Sequence, residues 1–326
     1  MAYMRILIIG GTRFVGRHIT EAALAAGHEV SLLHRGKTGP GLFPEAEHLL
    51  ADRDADLSIL RDRQWDTTID VSAYLPSQIT HLAGALSTGQ YVFVSTTAVY
   101  APEEPNFTED SPLAEFDGPV TEEVTGATYG PLKVLCERAV TDAFGSGSLI
   151  VRPTYVIGPY DYTGRFTYWV NRIARGGEVL APGNPDDPIQ VIDGRDMASW
   201  IIAMIEKTGS GTFHAVSPAP PFSFGDMLEA IVAEVGPPGT TLTWVGQDFL
   251  KAEGEDGRSL PLWPMGEDGT SINTANPAAA YAAGLSPRPL GQSVREIRDA
   301  EASFSTSTTI TPDREADILS RWRARP

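Results

Sequence analysis

"RILIIGGTRFVGRHITEAALAAGHEVSLLHRG", residues 5–36, decides the reading of the fold. Arg5–Ile9 is a short, nearly continuous apolar run, as expected of a strand buried on both faces. Glycines follow at once. Phe14, Val15, Ile19, Ala22, Ala23 and Ala26 then supply one face of a helix, and Gly27 stands where a helix stop belongs. Val30–Leu33 reads as a second strand. Strand, glycine turn, helix and strand make a βαβ unit. Gly10 permits the tight turn, and Gly16 lets the helix pack closely on the strand. The helix N-terminus then offers backbone N–H groups and a positive dipole end to a pyrophosphate.

The second strand ends in His34-Arg35, without a carboxylate. An Asp or Glu there would bind a ribose 2′-hydroxyl and select NAD. An arginine pairs instead with the 2′-phosphate of NADP. Arg35 is the first candidate for that contact and Arg13, inside the glycine turn, the second. NADP (as NADPH) is therefore expected in preference to NAD, held by Gly10, Thr12, Arg13, Phe14, Gly16 and Arg35.

The remaining composition narrows the class. With 326 residues the chain is long enough for two domains or lobes, and 42% hydrophobic content is ordinary for a globular protein. Its net charge of −17 speaks against nucleic acid and anionic lipid as partners. Cys136 is the only cysteine, so an intrachain disulfide and a multi-cysteine zinc site are both excluded. The six histidines form no close ligand pair, and no metal is expected. The opening "MAYMRILIIGG" does not read as a secretory signal, and no run approaches a membrane span. A cytoplasmic enzyme acting on a small molecule is expected. "STSTT" (305–309) reads as a linker to a terminal helix in "TPDREADILSRWRAR".

"ATYGPLKVLCERAV", residues 127–140, places Tyr129 and Lys133 four apart at the start of a helical pattern, so both point to one side. With it, "GGTRFVG" (10–16), "YVFVSTTAVY" (91–100), "LIVRPTYVIGP" (149–159) and "IQVIDGRDMASWI" (189–201) follow in order. Together these segments resemble the extended short-chain dehydrogenase/reductase family, also called the NAD-dependent epimerase/dehydratase family. The resemblance covers nearly the whole chain. It implies an α/β fold: a Rossmann doubly wound parallel sheet with a smaller, discontinuous C-terminal substrate lobe. The dinucleotide domain would span 1–155 with a return segment at about 188–207, and the lobe 156–187 and 208–326. Tyr129 then matches the catalytic tyrosine, Lys133 the lysine on the nicotinamide ribose, and Thr96 the catalytic Ser/Thr. Asp52 resembles the adenine-contacting aspartate, and Ser72 and Ala73 fall where the family backbone passes the cofactor. A homodimer is implied, through the helix at about 76–87 and the helix starting near Tyr129.

The implied chemistry is coherent. A free tyrosine has a pKa of about 10, too high for a base at neutral pH. The Lys133 ammonium would lower it, and Thr96 would orient the substrate oxygen. Three departures restrict the reaction. Arg13 takes the middle glycine position of the usual turn, which places the chain beside a functionally diverse "GGTxFxG" branch. Thr96-Thr97-Ala98 lacks the Asp-Glu pair of nucleotide-sugar 4,6-dehydratases. Neither Arg165 nor Arg195 fits the position of the family's diphosphate-clamping arginine. In "TYVIGPYDYTGRFTYWV" the rings of Tyr155 and Tyr162 are candidates for substrate contact, against ordinary core packing for most of the segment. The expected activity is an NAD(P)-dependent reduction or oxidation of a carbonyl or alcohol on a small organic molecule. The alternatives are a sugar or nucleotide-sugar epimerase with retained NAD(P), and a non-catalytic dinucleotide- or RNA-binding regulator.

Overall fold

The protein is described from a computed structural model that covers residues 3–101, 105–265, 272–300 and 309–325. In chain order the strands are β1 (Arg5–Ile9), β2 (Glu29–His34), β3 (Glu47–Leu50), β4 (Trp65–Asp70), β5 (Thr88–Val94), β6 (Leu149–Pro153), β7 (Tyr155–Ile157), β8 (Glu178–Pro182), β9 (Val191–Asp193), β10 (Gly211–Ala215) and β11 (Thr241–Val245). The helices are α1 (Phe14–Ala25), α2 (Pro76–Ala83), α3 (Tyr129–Phe144), α4 (Arg165–Ala174), α5 (Gly194–Glu206), α6 (Phe224–Val235), α7 (Gln247–Ala252), α8 (Ala278–Ala282), α9 (Leu290–Ala300) and α10 (Pro312–Arg323). Residues 305–308 of the expected linker lie outside the described residues.

The chain divides into two compact units. The first holds Met1–Val156, Ile192–Ser217 and Ala275–Pro287. Its parallel sheet runs β10-β6-β5-β4-β1-β2-β3, the doubly wound order. Side chains alternate across the sheet, so β1 feeds two cores. Ile6 and Ile8 pack with Ile19 and Ala23 of α1 and with Ile201 and Ile205 of α5. Leu7 and Ile9 pack with Ile79 and Leu82 of α2 and with Cys136 and Val140 of α3. Burial on both faces is why the strand reads as one apolar run. Tyr129 opens α3 on the second of these faces.

The second unit holds Ile157–Val191, Pro218–Thr274 and Arg288–Pro326. In it β8 pairs in parallel with β11, and α4, α6 and α9 pack on one another. The terminal helix α10 is tied in by a buried pair: Arg172 Nε donates to Glu315 Oε2 at 2.6 Å, and Leu180 N donates to Glu315 Oε1 at 3.0 Å.

The sequence boundary at 208 falls too early. β10 and α8 belong to the sheet-bearing unit, because β10 adds to β6 in parallel register, with Phe213 opposite Val151. The strand "GTFHA" hides in the sequence because its polar His214 is buried and partnered: Tyr100 Oη lies 2.6 Å from Nε2, and the Asn276 carbonyl lies 2.9 Å from Nδ1.

Gly16 marks the tightest helix–strand approach in the opening unit. A Cβ there would overlap the Gly10 carbonyl oxygen and lie 2.9 Å from its carbon. Alanine gains about 1 kcal/mol of helix propensity. Overpacking against backbone that cannot swing aside costs about 1–3 kcal/mol. Gly16→Ala is therefore expected to lower stability in urea unfolding; a variant as stable as wild type would refute the close approach.

Candidate active site

The sheet order reverses between β1 and β4, and the loops leaving their carboxyl ends bound a crevice there. Gly10 turns the chain after β1 with φ of 85°, and a Cβ on it would sit 3.1 Å from Ser72 Cβ of the loop after β4. Thr20 Oγ1 lies 2.9 Å from the carbonyl oxygens of Gly11 and Gly16 and binds the turn to α1. Thr12 is buried within the turn. Arg13 caps α1 in extended conformation, φ −134°, and its side chain is exposed. That backbone suits any residue, which explains how arginine replaces the usual middle glycine. Positive φ falls one residue on, at buried Phe14 (φ 39°), a costly conformation for a side-chain-bearing residue.

At the end of β2 Arg35 is exposed, whereas His34 is buried. His34 Nδ1 accepts from Gly36 N at 3.0 Å, and its Nε2 lies 2.8 Å from His48 Nδ1. His48 Nε2 lies 3.2 Å from the Phe43 carbonyl oxygen. Burial, then His48, holds the His34 imidazole below its ordinary pKa.

A charged pair lies under the crevice. Arg53 donates to both oxygens of Asp70 at 2.8 Å, to Ser72 Oγ at 3.1 Å and to the Gln78 carbonyl at 3.3 Å. Tyr91 Oη donates to Asp70 Oδ2 at 2.7 Å, and Ser72 N donates to Oδ1 at 3.0 Å. Burial works to raise the Asp70 carboxyl, and the Arg53 guanidinium more than offsets it, holding it below the usual range. Arg53 was missed in the sequence, although the acidic end of "TTID" in a buried strand signals a cation nearby. Asp52 precedes it, half-buried, with Oδ1 accepting from Asp54 N at 3.2 Å.

Lys133 is buried on α3 with its ammonium on two backbone oxygens, Ala73 O at 3.0 Å and Val94 O at 2.9 Å. Nζ lies 3.9 Å from the Phe93 ring centre and 5.9 Å from that of Tyr74. Burial pushes the Lys133 amine down to about 8. The Tyr74 and Tyr129 rings meet at 6.1 Å, inclined at 46°. Thr96 caps the short turn Thr97–Val99, its Oγ1 accepting from Ala98 N at 3.1 Å. Gly130 brings α3 against that turn, since any Cβ would overlap the Ala98 carbonyl oxygen. The structure thus gathers Ala73, Tyr129 and Lys133 with Tyr74, which the sequence did not single out. It seats the Thr96 turn against the first residues of α3.

Of the aromatic segment, Tyr155 is half-buried in β7. In the second unit Phe166 and Trp169 are core residues, while Tyr162 is 44% exposed. Arg195 is engaged by Asp193, Nη2 to Oδ2 at 2.6 Å. Among the described residues no three His, Cys, Asp or Glu are placed to hold a metal, and no helix is long and apolar enough to cross a membrane.

Residues 6–215 match the NAD dependent epimerase/dehydratase family. The chain belongs to that family. It is similar to the chloroplast stem-loop binding protein of 41 kDa b of Arabidopsis thaliana, 24% identical over 233 residues. That match covers 64% of this chain and 58% of the plant protein, so the chain spans less than two thirds of that relative's length. The isoflavone reductase homolog IRL of Zea mays is 27% identical over 240 residues, 73% of this chain and 70% of that one. The UDP-glucuronic acid 4-epimerase of Bacillus cereus, solved with NAD, shares the fold at a TM-score of 0.66 and 16% identity, covering 93% of this chain and 100% of that one.

Removing Arg53 leaves Asp70 buried and uncompensated. Arg53→Met is expected to cost about 3–5 kcal/mol in urea unfolding, and Arg53→Met/Asp70→Leu to recover part of it. Because the folded Asp70 carboxyl is held low, the pair's contribution is complete at neutral pH. It is lost as pH falls below the unfolded value of about 3.9 and through the folded one. A single variant of wild-type stability would show that the pair holds nothing in place.

Proposed function

We propose that the protein is an NADP-dependent reductase or dehydrogenase that interconverts a carbonyl and an alcohol on a small organic substrate. The observation that supports this most is Lys133, buried in a pocket of backbone oxygens and aromatic rings beside Tyr129. A stabilising lysine in that place is hard to explain by packing alone, since burying an ammonium is costly.

A dinucleotide would lie across the loops that follow β1 and β4. Gly10, Thr12, Arg13, Phe14 and Gly16 would hold the pyrophosphate at the start of α1, with Asp52, Ser72 and Ala73 along its course. Arg35 would meet a 2′-phosphate. When bound, the nicotinamide supplies or accepts the hydride. The chain's own part is the proton. Tyr129 donates it to the substrate oxygen on reduction and takes it back on oxidation. Lys133 stabilises the tyrosinate and holds the ribose. Thr96 already accepts from Ala98 N, so its hydroxyl proton is left to donate to the substrate oxygen.

The plant stem-loop binding relative supports a second reading, a nucleic-acid-binding regulator. A net charge of −17 weighs against phosphate-backbone binding. A dinucleotide retained through purification would move the reading to an epimerase. We propose a cytoplasmic homodimer, joined through α2 and α3, which pack on each other and expose Ser77, Thr80, His81, Arg138 and Asp142. Light scattering should give the dimer mass, and a monomer at micromolar concentration would overturn that assembly.

NADPH should bind more tightly than NADH. Arg35→Ala should weaken NADPH by about ten- to a hundredfold, the loss of a charge-assisted contact worth about 1.5–3 kcal/mol, and leave NADH nearly unchanged. Tyr129→Phe should lower turnover by about 10²–10⁴ with dinucleotide binding retained. Full turnover in that variant would end the proposed mechanism.

A further inference from the structure

Tyr74 sits where no sequence motif places it. Its backbone N–H donates to Gln78 Oε1 at 2.9 Å, and Gln78 Nε2 is in turn on Asp54 at 2.9 Å, so the loop after β4 is pinned at this residue. The Tyr74 ring is 45% exposed, yet it meets the Tyr129 ring at 6.1 Å and the Lys133 ammonium at 5.9 Å. Both separations are within the range of aromatic and cation–π contact. Lys133 itself is only 4% exposed. Phe93 closes its inner side, and the carbonyl oxygens of Ala73 and Val94 accept two of its three N–H hydrogen bonds. Tyr74 is the ring on the side toward solvent.

We propose that Tyr74 is a positioning residue of this site, its ring sealing the Lys133 amine from water on the side that Tyr129 occupies. Its part in catalysis rests on the reading of Tyr129 and Lys133 as the proton-handling pair; the seal itself is testable without that reading. The other titratable and charged groups around Lys133 are Cys136 and Glu137 on α3, Asp70 at the end of β4 and Arg53 from the loop after β3. None of them forms an ion pair with Lys133 among the described residues, and Arg53 and Asp70 are matched to each other. Desolvation thus dominates the amine. Admitting water should relax it toward ordinary lysine behaviour.

The chain has four lysines, Lys37, Lys133, Lys207 and Lys251, which makes the amine directly observable. In protein carrying ¹³Cε-lysine, the resonance absent from Lys133→Met reports Lys133 through a pH titration. The wild-type midpoint is expected near 8. In Tyr74→Ala it should rise toward the ordinary lysine value of about 10.4, and in Tyr74→Phe it should stay where wild type has it. Tyr74→Thr serves the same arm as alanine should that variant fold poorly. A purely structural role would lower the melting temperature of the small variants and leave the midpoint alone. An unmoved midpoint in the small variants, or an equal rise in Tyr74→Phe, overturns the proposal. Neither outcome depends on turnover, so the failure of this inference and that of the catalytic reading are separable; Tyr129→Phe tests the latter.

Discussion

The Lys133 ammonium ties three elements together at one point. It leaves α3, donates to Ala73 O in the loop after β4 and donates to Val94 O at the end of β5. One acceptor is the last residue of β5 and the other lies three residues beyond β4, so both are at the carboxyl edge of the sheet. The lysine donates to both oxygens, and in return its own position is fixed. Everything proposed for the site depends on that mutual constraint.

Buried arginines do comparable work elsewhere in each unit. Arg53 meets Asp70 under the crevice, and Arg152 meets Glu137, one turn along α3 from Lys133, with Nη2 on Oε2 at 2.6 Å. Arg152 also bonds Tyr100, which joins it to His214 on β10. In the second unit Arg172 meets Glu315. Such pairs add little net stability over apolar residues of the same volume, because desolvation offsets their attraction. Their geometric demand is strict, however. Arg53 fixes Asp70, Ser72 and Gln78 relative to one another, and Arg152 fixes α3 relative to β6 and β10.

The opening unit was legible because a strand buried on both faces must be apolar throughout, and the glycines beside it answer to close backbone approach. That Tyr129 and Lys133 share the start of one helix was legible by spacing; the roles expected of them, and of Thr96, came only from the resemblance. Arg53 was not, since its partner Asp70 lies 17 residues away and pairing across a sheet leaves no local pattern. Tyr74 was lost because a lone tyrosine beyond a strand looks like any surface ring. β10 was hidden by a histidine whose partners come from Tyr100 and Asn276, far off in the chain. In the aromatic segment composition could not sort core from surface, and the helix phase of α4 did: Phe166 and Trp169 turn inward.

The two imidazoles at the end of β2 have a consequence of their own. Gly36 N–H can only donate, so His34 Nδ1 must hold a lone pair and its proton sits on Nε2. His48 Nδ1 then receives, and its Nε2 proton goes to the Phe43 carbonyl. Donation runs one way along the chain, from Gly36 through both rings to Phe43, and uses all four ring nitrogens. His34, standing where a carboxylate would accept from ribose hydroxyls, has no lone pair to give. The strand end is left with a guanidinium and no acceptor from that ring, so on the proposed reading of Arg35 the protein selects partly by what it withholds.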